Sequence, residues 1–211
     1  MKFDKKQIQT LEDIISTRRD VRGYNFLDKK IPQEDLEKIL NAAIHAPSVG
    51  YSQPWKFVLI DNKNIKQEIR ENFDIENEKA KKIFKDKSIY KELKLEGIKE
   101  APINIAVFYK DPHEPTIGMT SIEKMGEYSV VCAVENMWLM ARALNIGMGW
   151  ISIIDEQKVK QTLNAPKDHH LVAYLALGYV DKFYDEPELK TIKWKGEKTL
   201  NECVITNQWS N

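Results

Sequence analysis

Residues 130–144 are apolar on nearly every face of a helix. They include Val130, Val131, Cys132, Ala133, Val134, Met137, Trp138, Leu139, Met140, Ala141, Ala143 and Leu144. A helix that is greasy all round has no side to turn to water, so it must be covered all round. In a chain of 211 residues, that makes it the centre of the fold or a helix packed against a second copy. The length suits one sizeable domain spanning 1–211, and no internal repeat or low-complexity linker divides it.

The rest of the pattern supplies layers for that helix. Residues 7–18 carry Ile8, Leu11, Ile14 and Ile15 at helical spacing. Pro32 opens a second helix with the stripe Leu36, Ile39, Leu40, Ala43 and Ile44, and Pro47 stops it. Residues 55–60 read as a strand, and 103–109 as a central strand after Ala101-Pro102. Residues 63–96 read as two amphipathic helices with a break near 86–88, and the charge run at 79–87 as a solvated face. Residues 111–121 read as a loop. Gly147-Met148-Gly149 is expected to break the long helix, and residues 150–154 and 171–177 to form the last strands. The sum is an α+β fold, a central sheet flanked by helices working as a homodimer, with the tail 181–211 free to wrap a neighbour.

Composition excludes several functions. Lys+Arg and Asp+Glu are both 32, giving a formal net charge of +0 and no basic excess for nucleic acid. Cys132, in an apolar run, is expected to be buried, and Cys203 has no local partner. Neither has metal or redox-pair spacing. His45, His113, His169 and His170 form no metal pattern, and the last two are expected in a surface loop. No apolar stretch reaches membrane-span length, and Met1 to Lys6 lacks the apolar core of a leader, so a cytoplasmic chain is the expectation.

Two segments carry chemistry. Arg18-Arg19-Asp20-Val21-Arg22 places three permanent cations in five residues, a potential phosphate cradle. Taken alone, such a cluster is ordinary solvated surface, with Asp20 merely neutralising it. The second segment is Ala46-Pro47-Ser48-Val49-Gly50-Tyr51-Ser52-Gln53-Pro54-Trp55, whose small residues admit a flat ligand and whose Ser48 and Gln53 offer hydrogen bonds. Their joint occurrence, in order and with a helix between, points to a phosphorylated ring ligand.

With these residues in view, the whole chain resembles the nitroreductase superfamily of flavin proteins, and within it the flavin-cleaving 5,6-dimethylbenzimidazole synthase branch. The likeness rests on Thr17 to Arg22; on Ala46-Pro47-Ser48-Val49-Gly50 with Gln53-Pro54-Trp55; on Leu93-Lys94-Leu95-Glu96-Gly97-Ile98 before Glu100-Ala101-Pro102; on Tyr128-Ser129 with Val131 to Val134; and on Gly147 to Ile153. Common nitroreductases usually carry Ser where this chain has Asp20.

The resemblance implies a nitroreductase-like α+β fold, its sheet mainly antiparallel, in an intertwined homodimer with FMN at the subunit interface. It implies that Arg18, Arg19 and Arg22 hold the phosphate and ribityl chain, with Asp20 and Val21 between them. Pro47, Ser48 and Gln53 would lie along the ring and ribityl group. Gly149, Ile151 and Ser152 would run beside the flavin N5 edge, and Lys195, after Trp194, would add a phosphate contact. Asp20 and Ser152 match the catalytic pair.

The implied reaction is oxygen-dependent fragmentation of reduced FMN to 5,6-dimethylbenzimidazole and erythrose 4-phosphate, with dioxygen as co-substrate, no metal, and a separate flavin reductase as a potential partner. Met119, Gly126 and Glu197 depart from the branch, which carries a basic, an acidic and an arginine residue near those places. The same phosphate contacts would serve an NAD(P)H-dependent nitroreductase or quinone reductase, which leaves direct NAD(P)H binding open. A deiodinase of the iodotyrosine type and a non-catalytic flavin binder are further readings. Asp20 and Leu95-Glu96-Gly97 favour the synthase.

Overall fold

Two runs of β-formers, too apolar for a sheet edge, set the architecture. Ile103–Lys110 (β2) and His169–Tyr179 (β4) are buried on both faces over most of their length. They pair antiparallel with each other, and Trp55–Ile60 (β1) and Ile146–Ile151 (β3) flank them in the order β1-β2-β4-β3, every pairing antiparallel. The computed structural model describes residues 1–84 and 88–209.

Strand side chains alternate between faces, and each face has its own helical layer. Ile105, Val107, Leu175 and Leu177 point to the side where helices Gln33–Ile44 (α2) and Met125–Ala143 (α4) pack. Ala106, Phe108, Tyr174 and Ala176 face Ile69 and Phe73 of Lys63–Ile83 (α3) and Val159 of Glu156–Thr162 (α5). The first helix, Lys5–Thr17 (α1), begins with a capping box between Asp4 and Gln7 and buries no residue. Beyond the sheet, the tail adds two short helices, Glu188–Thr191 (α6) and Leu200–Cys203 (α7).

α4 is the expected central helix, with Val130, Ala133, Val134, Met137 and Ala141 fully buried. It still leaves one face open. Val131 is exposed, and so is Cys132, contrary to the expected burial. α4 also ends before the glycines: Asn145 adopts the left-handed conformation that stops it, and Gly147 and Gly149 lie inside β3.

Residues 63–96 hold one 21-residue helix instead of two, followed by a 3-10 turn at Ser88–Glu92. Pairs such as Arg70 with Asp74 and Lys81 with Glu78 sit at helical spacing along it. Of the expected break at 86–88, residues 86 and 87 lie outside the described residues. His169 and His170 open β4 instead of sitting in a loop, where they contact Asp168 and Asp111. No described helix is long and apolar enough to cross a membrane.

Met137 sits at the centre of the α2/α4 layer with no exposure. Met137→Ala is expected to cost about 2–5 kcal/mol, read as a lower urea midpoint with an unchanged m-value.

Candidate active site

The five-residue cationic segment begins where α1 stops. Arg18 leaves helical geometry, at φ −63° and ψ 138°, and the chain then runs beside β3. Asp20 forms a parallel bridge with Met148, and the Val21 N–H donates to the Met148 carbonyl at 3.0 Å. This short extra strand docks the Asp20 carboxylate. Its Oδ1 accepts the Trp150 N–H at 3.0 Å, and its Oδ2 meets Arg22 Nη1 at 2.6 Å. Burial pushes the Asp20 carboxyl above its ordinary range, and Arg22, the Trp150 N–H and Arg18 oppose that push.

Gly149 is required by this docking. A Cβ there would lie 2.3 Å from the Val21 carbonyl oxygen and 3.6 Å from Asp20 Oδ1. Ser152, just past β3, is exposed and has no hydrogen-bond partner among the described residues. Its hydroxyl is free for a ligand. Ile151, beside it, is buried.

The three arginines are used differently. Arg18 stacks its guanidinium 4.5 Å over the Trp138 ring and forms no ion pair among the described residues. Arg19 donates to the carbonyls of Ser16 and Arg18 and to that of Asp185 in the tail. Arg22 is paired with two carboxylates, Asp20 and Glu188. A cavity of about 130 Å³ lies between Arg22, Tyr24, Tyr184, Pro187 and Leu189. That is well under the roughly 300–1,000 Å³ of a small-molecule pocket, so it does not by itself take a flavin.

The second segment lies elsewhere. The Val49 N–H donates to Ser129 Oγ near the start of α4, and the Gln53 N–H to Ser48 Oγ at 3.1 Å. Gly50, Tyr51 and Gln53 all have positive φ, and Gly50 packs so closely on the Ile117 carbonyl that a Cβ would sit 2.7 Å from it. The arginines contact α4 at Trp138. Trp138 lies nine positions after Ser129, roughly 13 Å along the helix. Within one chain, Asp20, Val21, Arg22, Gly149, Ile151 and Ser152 are therefore brought together, with Arg18 and Arg19 alongside. Pro47, Ser48 and Gln53 stand at the other end of α4.

Lys195 also stays apart, exposed in the tail. The three departures have physical settings. A side chain at Gly126 would meet the Tyr109 ring at 2.4 Å, Met119 packs against the main core, and Glu197 pairs with Lys190 at 2.9 Å. Sequence reasoning missed Trp138, Tyr24 and Glu188. Glu188 is 166 residues from Arg22, and no local pattern marks such a pair.

A flavin phosphate needs donors without a competing anion. Arg18 and Arg19 meet that need, since neither is neutralised by a carboxylate among the described residues. Three buried side-chain polar atoms lack a partner among those residues, and two lie in the predicted segments: Arg19 Nε and Ser52 Oγ. Orphaned buried donors are costly and mark places where a partner is missing, so the residues present fit the group. Gly149→Ala should force Val21 off β3, costing about 1–3 kcal/mol, or roughly 2–12 °C in Tm at this chain size. Thermal unfolding with and without FMN would show the loss together with a weakened ligand-induced shift.

The family model of the nitroreductase family matches residues 15–179. The chain is 35% identical over 200 residues to 5,6-dimethylbenzimidazole synthase of Rhodospirillum rubrum, covering 93% of this chain and 94% of that one. Its fold is similar to the crystal structure of a BluB-like flavoprotein from Clostridium difficile 630, with TM-score 0.69 at 22% identity over 94% of this chain and 99% of that one. It is also similar to oxidised iodotyrosine deiodinase bound to FMN and 3-iodo-L-tyrosine, with TM-score 0.72 at 23% identity over 94% and 100%. The matched span covers well over half of the chain and the R. rubrum relative nearly all of it, and the chain belongs to the nitroreductase family.

Proposed function

We propose that this protein is a 5,6-dimethylbenzimidazole synthase, fragmenting reduced FMN with dioxygen to 5,6-dimethylbenzimidazole and erythrose 4-phosphate. The observation that carries the reading is the docked Asp20, a carboxylate held between Arg22 and the Trp150 N–H, with a pKa above its ordinary range. The R. rubrum relative, similar over nearly the whole length, bears that activity in its name. When bound, reduced FMN supplies the electrons for dioxygen and the ring that is broken.

Arg18 and Arg19 hold the phosphate with Lys195 as a further cation, while Arg22, matched by Asp20 and Glu188, orients Asp20 beside the ribityl chain. Val21, Gly149 and Ile151 line the ligand with backbone. Asp20 accepts a proton from the ribityl chain, and a carboxyl whose pKa is raised toward the working pH is the better base for it. Ser152 Oγ exchanges a hydrogen bond with the N5 edge. Reduced flavin arrives from a separate reductase.

A second copy completes the site. Pro47, Ser48 and Gln53 stand at the other end of α4 from the arginines of their own chain, and a two-fold partner brings its own copy of that loop to the arginine end. α1 offers the contact: Ile8, Leu11 and Ile15 are each about half exposed. Leu11, Ile14, Leu139, Met140 and Ala143 line an open apolar groove of about 570 Å³. Leu11→Lys is expected to give a monomer in analytical ultracentrifugation and to lose FMN with it. A monomer that keeps tight FMN binding would refute a shared site.

The reaction is tested by mixing protein with chemically reduced FMN and air and assaying 5,6-dimethylbenzimidazole by mass. Asp20 must be ionised to act as base, so activity is lost as pH falls through its raised pKa. The acid limb then lies above the ordinary carboxyl value of 3.8. Asp20→Asn should remove product at every pH while FMN stays bound. Re-oxidation of FMN that stays intact would overturn the synthase reading in favour of a reductase of the same fold, to be assayed next with NAD(P)H and electron acceptors.

A further inference from the structure

Arg22 is held at both ends of its guanidinium. Nη1 faces Asp20, and Nε donates to Glu188 Oε2 at 3.0 Å. The other Glu188 oxygen accepts the Tyr24 hydroxyl at 2.7 Å. The Arg22 side chain is only 11% exposed, so water screens these contacts weakly. A guanidinium is a rigid plane, and fixing Nε fixes where Nη1 points.

We propose that Glu188, on the short tail helix α6, is a positioning residue for this site: it aims the Arg22 fork at Asp20 and sets the net charge that Asp20 experiences. The proposal rests on the reading of Asp20 as the working carboxylate.

The tail is fixed well enough for that task. Asn25 Nδ2 donates to Asp181 Oδ1 and Tyr184 Oη, and the Asp181 N–H donates to the Asn25 carbonyl. Arg19 holds the Asp185 carbonyl. On the far side, Trp194 meets Phe84 and Tyr90 with ring centroids 5.6 and 6.1 Å apart. Glu188 is thus delivered between two anchored points.

The surrounding charges are few. Asp20 faces Arg22 and Arg18 as cations, the Trp150 N–H as a dipole, and Glu188 as the opposing anion. Glu188 faces Arg22 and Tyr24, with Tyr184 beside Tyr24. Glu186 lines the same cavity, but it and Glu197 are taken by Lys190, which leaves Glu188 to Arg22. Burial and then the Glu188 hydrogen bond push the Tyr24 phenol up, so it stays a donor at working pH. The Glu188 charge offsets part of the Arg22 field at Asp20 and so opposes its ionisation.

The test is the side-chain carboxyl titration of Asp20, followed by carbon NMR in the full-length protein with oxidised FMN bound and assigned by its loss in Asp20→Asn. Glu188→Gln keeps an acceptor for Arg22 and Tyr24 but removes the charge. It is expected to shift the Asp20 midpoint downward with Tm near wild type, and to move the acid limb of turnover the same way. An unmoved or raised midpoint overturns the proposal, whatever happens to Tm. Should Glu188→Gln fail to fold, Glu188→Asp, which keeps the charge but draws the acceptor back from Arg22 Nε, must raise the Asp20 midpoint as the Arg22 fork loses its aim; an unmoved or lowered midpoint in that variant overturns the proposal. The NMR readout needs no turnover. A downward shift in a protein that makes no 5,6-dimethylbenzimidazole would therefore sink the synthase reading and keep the positioning role.

Discussion

The site depends on one small piece of sheet. The two-residue strap of Asp20 and Val21 on β3 converts a cationic segment at the end of an exposed helix into a fixed constellation. Without that bridge, Asp20 would be the ordinary neutraliser of neighbouring arginines. With it, one carboxylate oxygen is committed to the backbone of β3 and the other to a guanidinium. Gly149 is the steric condition for the strap, because only hydrogen fits against the Val21 carbonyl.

The strap also explains how opposite charges coexist in so small a volume. Exposed ion pairs contribute little, but a guanidinium as covered as Arg22 must be matched by acceptors on every face. Asp20 and Glu188 supply them, one from the front of the chain and one from its tail. Arg18 uses an aromatic face instead, and Arg19 uses carbonyls. The three cations of the segment are therefore not equivalent: among the described residues two keep their charge uncompensated by carboxylates, and one serves to orient.

Much of this was legible in the sequence, and the failures have physical causes. The all-apolar run gave away α4 because a period-3.6 helix with no polar stripe has few places to go, and β2 and β4 were readable as runs of apolar β-formers, the first introduced by Pro102. The arginine segment and Asp20 were visible as chemistry. The glycines at 147 and 149 misled, since a glycine that ends a helix and one that admits a neighbouring strand look alike in a string of letters. Cys132 misled because apolar neighbours in sequence sit on different faces of a helix. Glu188 and Trp138 were invisible for a plainer reason: each acts on the segment from more than a hundred residues away, and only the folded chain defines the distance.

Gly126 carries a consequence for how such a chain can change. Its backbone is pressed against the ring of Tyr109, a core residue stacked on His170 at 6.1 Å between centroids. Any side chain at 126 collides with that ring, and trimming the ring alone opens a hole beside α4. A charged residue at 126 and an aromatic one at 109 are therefore alternatives, and passage between them requires the second position to yield first. The order of substitutions is dictated by van der Waals radii, so the two positions are expected to drift as a linked pair and not one by one.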